Sequence, residues 1–304
     1  MKNNIPLVFC FDDNYLLPAL ISIYSLLKNS NGGKNLHIYI LHNKKNLSQH
    51  SIDQILLLKS HFGNCNFYFI DLGNSFIDHH TTDLSIETYF RLAIPDYLHN
   101  YDKVIYCDSD TIFINDISEL YQTNINNYSL AAVKESLTEI NPNYKYFLKK
   151  NRFDPDKYFN AGLLIFNNKK INHHKIFSDQ IKTFSHKKFR YADQDILNTI
   201  FKDDVYYLDA SYNYTSNHLK QDNLNFPKII HYIYNKPWKE PCAFSDIWWS
   251  YYRTSPFYDE QYYLTQTSII YEDIKKHLSV GNKLKNIGAY HLIIKIKGAL
   301  QRIR

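Results

Sequence analysis

Short apolar runs alternate with helical patterns of apolar residues along most of the chain. Residues 5–11 form an apolar run rich in strand-forming side chains, and a polar turn separates them from an apolar helical pattern over residues 16–27. The same alternation continues further on, which predicts an α/β fold with a mixed, mainly parallel sheet flanked by helices. The other predicted strands are 35–41, 66–70, 103–107, 130–133, 163–166 and 229–231, and the other predicted helices are 47–62 (capped by Ser48), 85–98, 117–121 (capped by Asp116) and 193–201.

The predicted strand 103–107 ends in two carboxylates, Asp108 and Asp110, with Ser109 between them. In an open α/β sheet, ligands bind outside the carboxyl ends of the strands, which is where these side chains would lie. Two carboxylates this close repel each other unless a cation lies between them. Hard oxygen ligands at a strand end therefore predict Mg2+ or Mn2+ together with a phosphate-bearing substrate.

Thr111 extends this pattern to Asp-Ser-Asp-Thr, which is also the opening motif of haloacid-dehalogenase-type phosphatases. In those enzymes the first Asp is a nucleophile and the second is an acid/base, with Mg2+ bound. Their motif stands on the first strand of the fold, whereas several strand and helix units precede Asp108 here. We also find no acidic pair after a later strand, so we favour a cation site over a phosphorylated aspartate.

His231, at the end of another predicted strand, could supply a third ligand. A lone His in such a position is more often structural than a metal ligand. Together with the two carboxylates it would complete an Asp, Asp, His set that leaves positions open for phosphate oxygens. Lys236, five residues further on, could neutralise the same phosphates.

The composition is that of a globular protein in a reducing compartment. The 304 residues can bury a sizeable core, and 44% of them are hydrophobic. The four cysteines have no metal-ligand spacing, and we expect them to be reduced. The first residues run directly into a strand without an apolar signal segment, and no apolar run is long enough to span a bilayer. We therefore expect a cytosolic protein.

Basic residues are concentrated at the C-terminus. Eight Lys or Arg and no Asp or Glu follow residue 274, and the formal net charge of the whole chain is +5, so residues 1–274 carry a net charge of −3. An acidic body argues against nucleic-acid binding, and a basic tail indicates an anionic partner. Residues 292–304 carry an apolar helical stripe beside Lys and Arg, which predicts an amphipathic helix lying on an anionic membrane. The alternatives are a helix packed on its own domain and a contact in self-association.

Six short blocks, taken in order, resemble glycosyltransferase family 8. This family comprises retaining enzymes of the GT-A fold and includes bacterial lipopolysaccharide galactosyl- and glucosyltransferases and glycogenin. The resemblance runs from residue 5 to about residue 238, and it implies a catalytic domain over residues 1–240 and an aromatic and basic membrane-attachment extension over residues 241–304. The blocks are residues 9–15 (FCFDDNY), 88–92 (TYFRL), 108–110 (DSD), 159–162 (FNAG), 193–195 (DQD) and 231–238 (HYIYNKPW).

The resemblance implies a Mn2+-dependent hexosyltransferase, with Mg2+ as a possible substitute. It would move galactose or glucose from a UDP-sugar to a saccharide acceptor, expected to be lipid-linked as in lipopolysaccharide, at the inner face of a bacterial membrane. Matching positions imply that Asp108, Asp110 and His231 bind the metal and that Asp193 and Gln194 are catalytic. The implied substrate-binding residues are Cys10, Asp12, Asn14 and Tyr15 at the uridine, Asp108, Ser109 and Lys236 at the diphosphate, and Thr88, Arg91, Glu135, Asn160, Ala161 and Gly162 around the sugar.

Gln194 also bears on the expected mechanism. An amide is a poor nucleophile beside a carboxylate, and no second carboxylate pair of the kind used by retaining glycosidases is evident. We therefore favour front-face displacement, in which the departing diphosphate takes the acceptor proton, over a covalent intermediate. A glycogenin-like transferase that glucosylates its own Tyr, and a catalytically silent saccharide- or nucleotide-binding module, remain alternatives.

Three positions depart from the family pattern. Between His231 and Lys236 the usual Gly is absent and the segment is one residue shorter. Asp83 stands where the galactosyltransferases have a His, and Glu135 stands where they have an Asp. Because such positions help to decide the sugar and the acceptor, the resemblance does not carry the exact specificity over to this chain.

Overall fold

The computed structural model describes residues 4–31, 33–79, 85–174, 181, 184, 189–220 and 226–286. The chain divides into two compact units, Met1–Tyr232 and Ile233–Arg304. Asp83 and the amphipathic helix predicted over residues 292–304 lie outside the described residues.

Nine strands and ten α-helices are described, together with short 3-10 helices. The strands are β1 Asn4–Cys10, β2 Asn35–His42, β3 Cys65–Asp71, β4 Val104–Cys107, β5 Thr111–Phe113, β6 Leu130–Lys134, β7 Phe159–Phe166, β8 Val205–Tyr207 and β9 Ile229–His231. The helices are α1 Leu16–Lys28, α2 Gln49–His61, α3 Ile94–Tyr97, α4 Ser118–Gln122, α5 Leu137–Ile140, α6 Pro142–Lys150, α7 Asn168–His174, α8 Ala192–Phe201, α9 Ser245–Thr254 and α10 Glu260–Asn286. The 3-10 helices are Asp13–Tyr15, Ile77–His79, Ile86–Ala93, Ala210–Asn213 and Ser216–Lys220.

A seven-stranded mixed sheet forms the centre of the first unit, in the order β3-β2-β1-β4-β7-β6-β8. Strands β1, β2, β3 and β4 pair in parallel, as do β6 and β8, whereas β7 lies antiparallel between β4 and β6. Every residue of β4 and β7 is buried, as expected for central strands that are covered on both faces. The predicted mixed, mainly parallel sheet is confirmed.

The sheet is irregular where β6 and β7 pair. The partner of β6 changes from Leu164, opposite Ala132, to Asn160, opposite Val133, so residues 161–163 have no partner on β6. Such a bulge bends a strand and is frequent beside functional sites. On the other side of β7, the carbonyl of Gly162 accepts from the N–H of Asp108 at 2.8 Å, which extends the pairing with β4 beyond Cys107.

Two local predictions were wrong in detail. The strand predicted over residues 163–166 begins four residues earlier, at Phe159, because Phe159 and Asn160 pair with Lys134 and Val133 of β6. Asn198 on α8 also pairs with the N–H and the C=O of Phe159. Residues 85–98 were expected to be one helix, but most of the segment is the 3-10 helix Ile86–Ala93, followed by α3. Pro95 starts the first turn of α3, where a missing N–H costs nothing.

A second, two-stranded sheet fixes the position of His231. Strand β5 pairs antiparallel with β9, with Thr111 opposite His231, and the N–H of Tyr232 donates to the carbonyl of Asp110 at 3.0 Å. Helix α1 anchors β5, because the hydroxyl of Ser25 accepts from the N–H of Phe113. This register brings the second carboxylate of the Asp-Ser-Asp triplet beside the histidine.

The second unit contains the helices α9 and α10 and an aromatic cluster. The rings of Trp248 and Tyr252 stack with their centroids 5.6 Å apart, and Trp249 meets Tyr252 edge-on at 5.5 Å. This confirms a helical, aromatic C-terminal extension. Among the described residues, no helix combines the length and the apolar character needed to cross a bilayer.

Replacing Asn198 with Ala should destabilise the first unit. The buried amide makes two hydrogen bonds of 2.9 Å to the backbone of Phe159, and its loss leaves a buried donor and a buried acceptor unsatisfied. We expect the free energy of unfolding in urea to fall by about 3 kcal/mol. The matched control is Thr199→Ala at the next, exposed position, which should change it by less than about 0.5 kcal/mol. Equal effects of the two substitutions would contradict this role for Asn198.

Candidate functional site

The predicted ligand residues Asp108, Asp110 and His231 lie together at one edge of the main sheet. Asp108 follows β4, Asp110 precedes β5 and His231 ends β9. One ligand atom from each residue lies within 4.8 Å of the other two. Nε2 of His231 is 3.2 Å from Oδ1 of Asp110 and 3.5 Å from Oδ2 of Asp108.

The ring of His231 is held in place by Asn213 and Gly162. Its Nδ1 lies 2.8 Å from Oδ1 of Asn213, and the ring packs directly on the backbone of Gly162. A Cβ atom at position 162 would be 2.5 Å from Nδ1 of His231 and closer still to Cε1, so only glycine leaves room for the ring. The side chain of His231 is 3% exposed, and the ring therefore has one direction in which Nε2 can reach a ligand.

Arg91 places a positively charged side chain at the centre of the site. Its Nη2 pairs with Oδ1 of Asp108 at 3.0 Å, and its Nε pairs with Oδ2 of Asp193 at 3.0 Å. Nη1 donates to the carbonyl of Ala161 at 2.7 Å, and Nε also contacts the carbonyl of Thr88. Burial alone would lower the pKa of Arg91, but the two carboxylates raise it overall, so the guanidinium keeps its charge.

Asp193 and Gln194 occupy the first turn of α8. This turn follows Ala192 in the left-handed region at φ 45°, a conformation that costs energy for a residue with a side chain. Burial raises the pKa of Asp193 to about 7, and Arg91 lowers it only in part. Oε1 of Gln194 accepts from the N–H of Ala161 at 3.0 Å, which fixes the amide against β7.

Glu135 and Asn160 are buried beside the same cluster. Glu135 follows β6 directly, and Asn160 lies in β7 opposite Val133, two residues before Glu135. Nδ2 of Asn160 donates to Oε2 of Glu135 at 2.9 Å, and Oδ1 of Asn160 accepts from Nδ2 of Asn213 at 2.8 Å. The predicted sugar-pocket residues are therefore connected to the partner of His231.

The residues predicted at the uridine lie at the end of β1 and in the turn that follows it. Cys10 ends β1, and burial raises the pKa of its thiol well above the usual value. Asp12 caps the 3-10 helix that begins at Asp13, because its Oδ1 accepts from the N–H groups of Asn14 and Tyr15. Asn14 is exposed, and Tyr15 is half-buried.

Two further predicted residues are not placed as simply. Ser109 is buried between the two aspartates, and its hydroxyl has no hydrogen-bond partner in the part of the chain that the structure describes. Lys236 belongs to the second unit, where it is half-buried and begins a turn, since its carbonyl accepts from the N–H groups of Lys239 and Glu240.

The sequence reasoning missed Tyr106 and Asn213. The hydroxyl of Tyr106 donates to Oδ1 of Asp108, and its ring lies under the guanidinium of Arg91, with Cζ 4.4 Å from the ring centroid. Strand alternation could have found Tyr106, because residues two apart in β structure share a face with one another. Asn213 has no local sequence signal, since it approaches His231 through tertiary structure alone.

The three ligand residues fit a divalent cation. Two carboxylates and an imidazole nitrogen form a donor set that suits Mn2+ or Mg2+. The glycine that makes room for the histidine ring and the asparagine behind that ring hold Nε2 toward the carboxylates. In metal sites a ligating His is normally oriented by such an outer hydrogen bond.

Comparison with known proteins agrees with the fold. The sequence profile of "Glycosyl transferase family 8" matches residues 6–242. A Haemophilus influenzae protein named as a glycosyltransferase is 34% identical over 246 residues, which covers 76% of this chain and 72% of that protein.

Two solved structures are similar to the chain. The apo structure of the bifunctional glycosyltransferase WbbM superposes with a TM-score of 0.75 at 29% identity, covering 88% of this chain and 52% of that one. The chain thus spans about half the length of WbbM. A complex of the galactosyltransferase LgtC with donor and acceptor sugar analogues gives a TM-score of 0.72 at 24% identity, covering 85% of this chain and 99% of LgtC. At that identity the likeness to LgtC concerns the fold.

Gly162→Ala should weaken cation binding without unfolding the protein. The added methyl group overlaps the ring of His231 and must push it away from the two carboxylates. We expect the affinity for Mn2+, measured by calorimetry without nucleotide, to fall at least about tenfold. Gly63→Ala is the control, because the described part of the chain leaves open space within 4 Å of that position. Unchanged Mn2+ affinity in Gly162→Ala would mean that His231 is not a ligand.

The raised pKa of Asp193 predicts a stability that falls with pH. Because the folded state holds this proton up to about pH 7 and the unfolded chain releases it near pH 4, the folded state binds more protons between these values. In the presence of a chelator, raising the pH from 5 to 7 should lower the free energy of unfolding by about 2 kcal/mol more than in Asp193→Asn. Parallel pH profiles for the two proteins would contradict the raised pKa.

Proposed function

The chain belongs to glycosyltransferase family 8, and on this premise we propose that it is a cation-dependent retaining enzyme that transfers galactose or glucose from a UDP-sugar to a saccharide acceptor. The observation that carries the proposal is the convergence of Asp108, Asp110 and His231 beside the Arg91–Asp193 ion pair. This arrangement combines a cation site for a diphosphate with a buried arginine that contacts two of the carboxylates. A silent binding module would have no need to keep all of these groups.

Asp108, Asp110 and His231 would hold the cation, which we propose to be Mn2+, with Mg2+ as a substitute. When bound, the cation supplies Lewis-acid stabilisation of the charge on the leaving diphosphate. Ser109 is buried between the two aspartates and would turn its hydroxyl toward the same diphosphate. Lys236, which the family resemblance assigns to the diphosphate, would add a positive charge to that group.

The turn after β1 would bind the nucleoside. Asp12 already orders this turn through the N–H groups of Asn14 and Tyr15, so the loop is shaped before any ligand arrives. The half-buried ring of Tyr15 would stack on the uracil, and Asp12 and Asn14 would contact its polar edge. Cys10 ends β1 just before this turn and would contact the same nucleoside.

Arg91 and Asp193 would bind the donor sugar, together with Thr88, Glu135, Asn160 and Ala161 along its rim. The carboxylate of Asp193 is buried and paired with Arg91 at 3.0 Å, so it is not poised as a nucleophile. Gln194 is uncharged, and its Oε1 is fixed by the N–H of Ala161. We therefore propose front-face displacement, in which Gln194 stabilises positive charge at the anomeric carbon and the leaving diphosphate takes the acceptor proton.

The C-terminal extension supports a lipid-linked acceptor at the inner face of a bacterial membrane, of the lipopolysaccharide kind. Leu264, Tyr271 and Leu278 lie seven residues apart along α10, and each is more than half exposed. The charged residues that follow residue 274 are all Lys or Arg. An apolar stripe followed by positive charge favours peripheral binding to anionic lipid, and we assign residues 1–240 to catalysis and 241–304 to attachment.

Release of UDP tests the proposed activity. With Mn2+ present, we expect the protein to release UDP from UDP-galactose or UDP-glucose and much less from UDP-N-acetylglucosamine or UDP-N-acetylgalactosamine. Chelator should abolish the release, and Asp110→Asn should lower its rate at least about 100-fold, because a cation ligand is lost.

The control is Asp246→Asn, a carboxylate of the second unit on α9, which removes the same charge and should leave the rate unchanged. Turnover that persists in Asp110→Asn and in chelator would refute the cation-dependent mechanism. Absence of UDP binding in the presence of Mn2+ would refute the nucleotide-sugar donor.

A further inference from the structure

We propose that Glu135 is a positioning residue that determines which ring nitrogen of His231 carries the hydrogen, and so whether Nε2 offers its lone pair to a cation between the two aspartates. It acts through Asn160 and Asn213, at a distance from the ligand position. The inference deepens the proposed cation site and rests on that proposal for its functional meaning. Its starting point is a chain of buried hydrogen bonds in which each donor and acceptor can be assigned from the one before.

The first assignment comes from the backbone. The N–H of Gly162 can only donate, and it donates to the side chain of Asn160 at 2.9 Å, so the atom it meets is Oδ1. Nδ2 of Asn160 must then be the atom that faces Glu135, where it donates to Oε2 at 2.9 Å. The orientation of this buried amide is therefore fixed from both ends.

The second assignment follows from the first. Oδ1 of Asn160 can only accept, so the atom of Asn213 that lies 2.8 Å from it is Nδ2. Oδ1 of Asn213 is then left facing Nδ1 of His231 at 2.8 Å. An amide oxygen there requires a hydrogen on Nδ1, which leaves the lone pair on Nε2 for the cation.

A carboxylate is needed at the start of this chain. Oε1 of Glu135 accepts from the N–H of Leu137 at 3.0 Å, while Oε2 accepts from Asn160. A glutamine of the same shape has a single oxygen, and its amino group would face either the N–H of Leu137 or the amino group of Asn160. One of the two buried donors then loses its acceptor. If the asparagine amides reverse, Asn160 and Leu137 both keep a partner, but the N–H of Gly162 loses its own, so each arrangement lacks one hydrogen bond and both become populated.

Reversal of the amides would change His231. With Asn213 turned around, its amino group would face Nδ1, and the ring would place its hydrogen on Nε2, toward the carboxylates. That tautomer cannot bind a cation through Nε2. The side chain of Glu135 is buried among these donors, so its effect on the cation passes through the amides.

The test is Glu135→Gln, examined without substrate. We expect the ring 15N shifts of His231, assigned with His231→Gln and recorded in chelator, to change from the Nδ1–H form to a mixture of tautomers. The affinity for Mn2+ alone should fall by about 10- to 100-fold, as is typical when an outer partner of a metal-bound histidine is lost. Glu139→Gln is the matched control, because this exposed carboxylate lies four residues away and its loss changes the charge equally.

A second pair of variants keeps the test decisive if Glu135→Gln does not fold. Asn213→Ala removes the acceptor of Nδ1 and should reproduce both effects, whereas Asn213→Asp retains an acceptor there and should keep the Nδ1–H tautomer. Wild-type tautomer and Mn2+ affinity in Glu135→Gln, or in Asn213→Ala, would overturn the proposal. A wild-type protein that binds Mn2+ but turns over no UDP-sugar would instead refute the proposed function and leave the positioning role standing.

Discussion

The carboxylates of Asp108, Asp110 and Asp193 lie close together in one largely buried site. Bringing these groups together costs electrostatic free energy, and the surrounding structure offsets part of that cost. Arg91 offsets part of this cost by pairing with Asp108 and Asp193 at once, and it is itself desolvated. An unpaired buried charge would be far more costly than a buried pair, so the guanidinium and its partners must be kept together. The 3-10 helix that carries Arg91 is therefore as much a part of the site as the strand that carries the aspartates.

The backbone conformation of β7 makes room for the side chains of the site. An antiparallel β7 between two parallel parts of the sheet brings its first half beside the end of β4, and the bulge opposite Ala132 and Val133 frees residues 161–163 from β6. On the side of β4, the carbonyl of Gly162 accepts from the N–H of Asp108, while the missing side chain of Gly162 admits the ring of His231. One short stretch of strand thus supports the aspartate, the histidine and the arginine.

The sequence predicts those parts of the arrangement that depend only on residues close together in the chain. Apolar runs located seven of the nine described strands and missed the short strands β5 and β8. Ser48 caps α2 through the N–H of Ser51, and the Asp-Ser-Asp triplet stands at a strand end as expected. The 3-10 character of 86–93 could not be predicted, because the pattern of apolar residues is similar for both helix types over so short a segment. Asn213 could not be predicted either, because only the pairing of distant segments brings it to His231.

Asn160 belongs both to the predicted sugar pocket and to the hydrogen bonds that orient His231, and this limits the contacts it can make with a sugar. The family resemblance assigns it to the pocket, yet its Oδ1 already accepts from Gly162 and Asn213, and its Nδ2 already donates to Glu135. One N–H of its amide is left for a substrate hydroxyl, and taking more would disturb the histidine. Under the proposed function, discrimination between galactose and glucose, which differ at one hydroxyl, would therefore depend mainly on side chains that are not committed to this chain of hydrogen bonds. The same amide would line the pocket and orient the proposed cation ligand, so a change to one of these roles would also change the other.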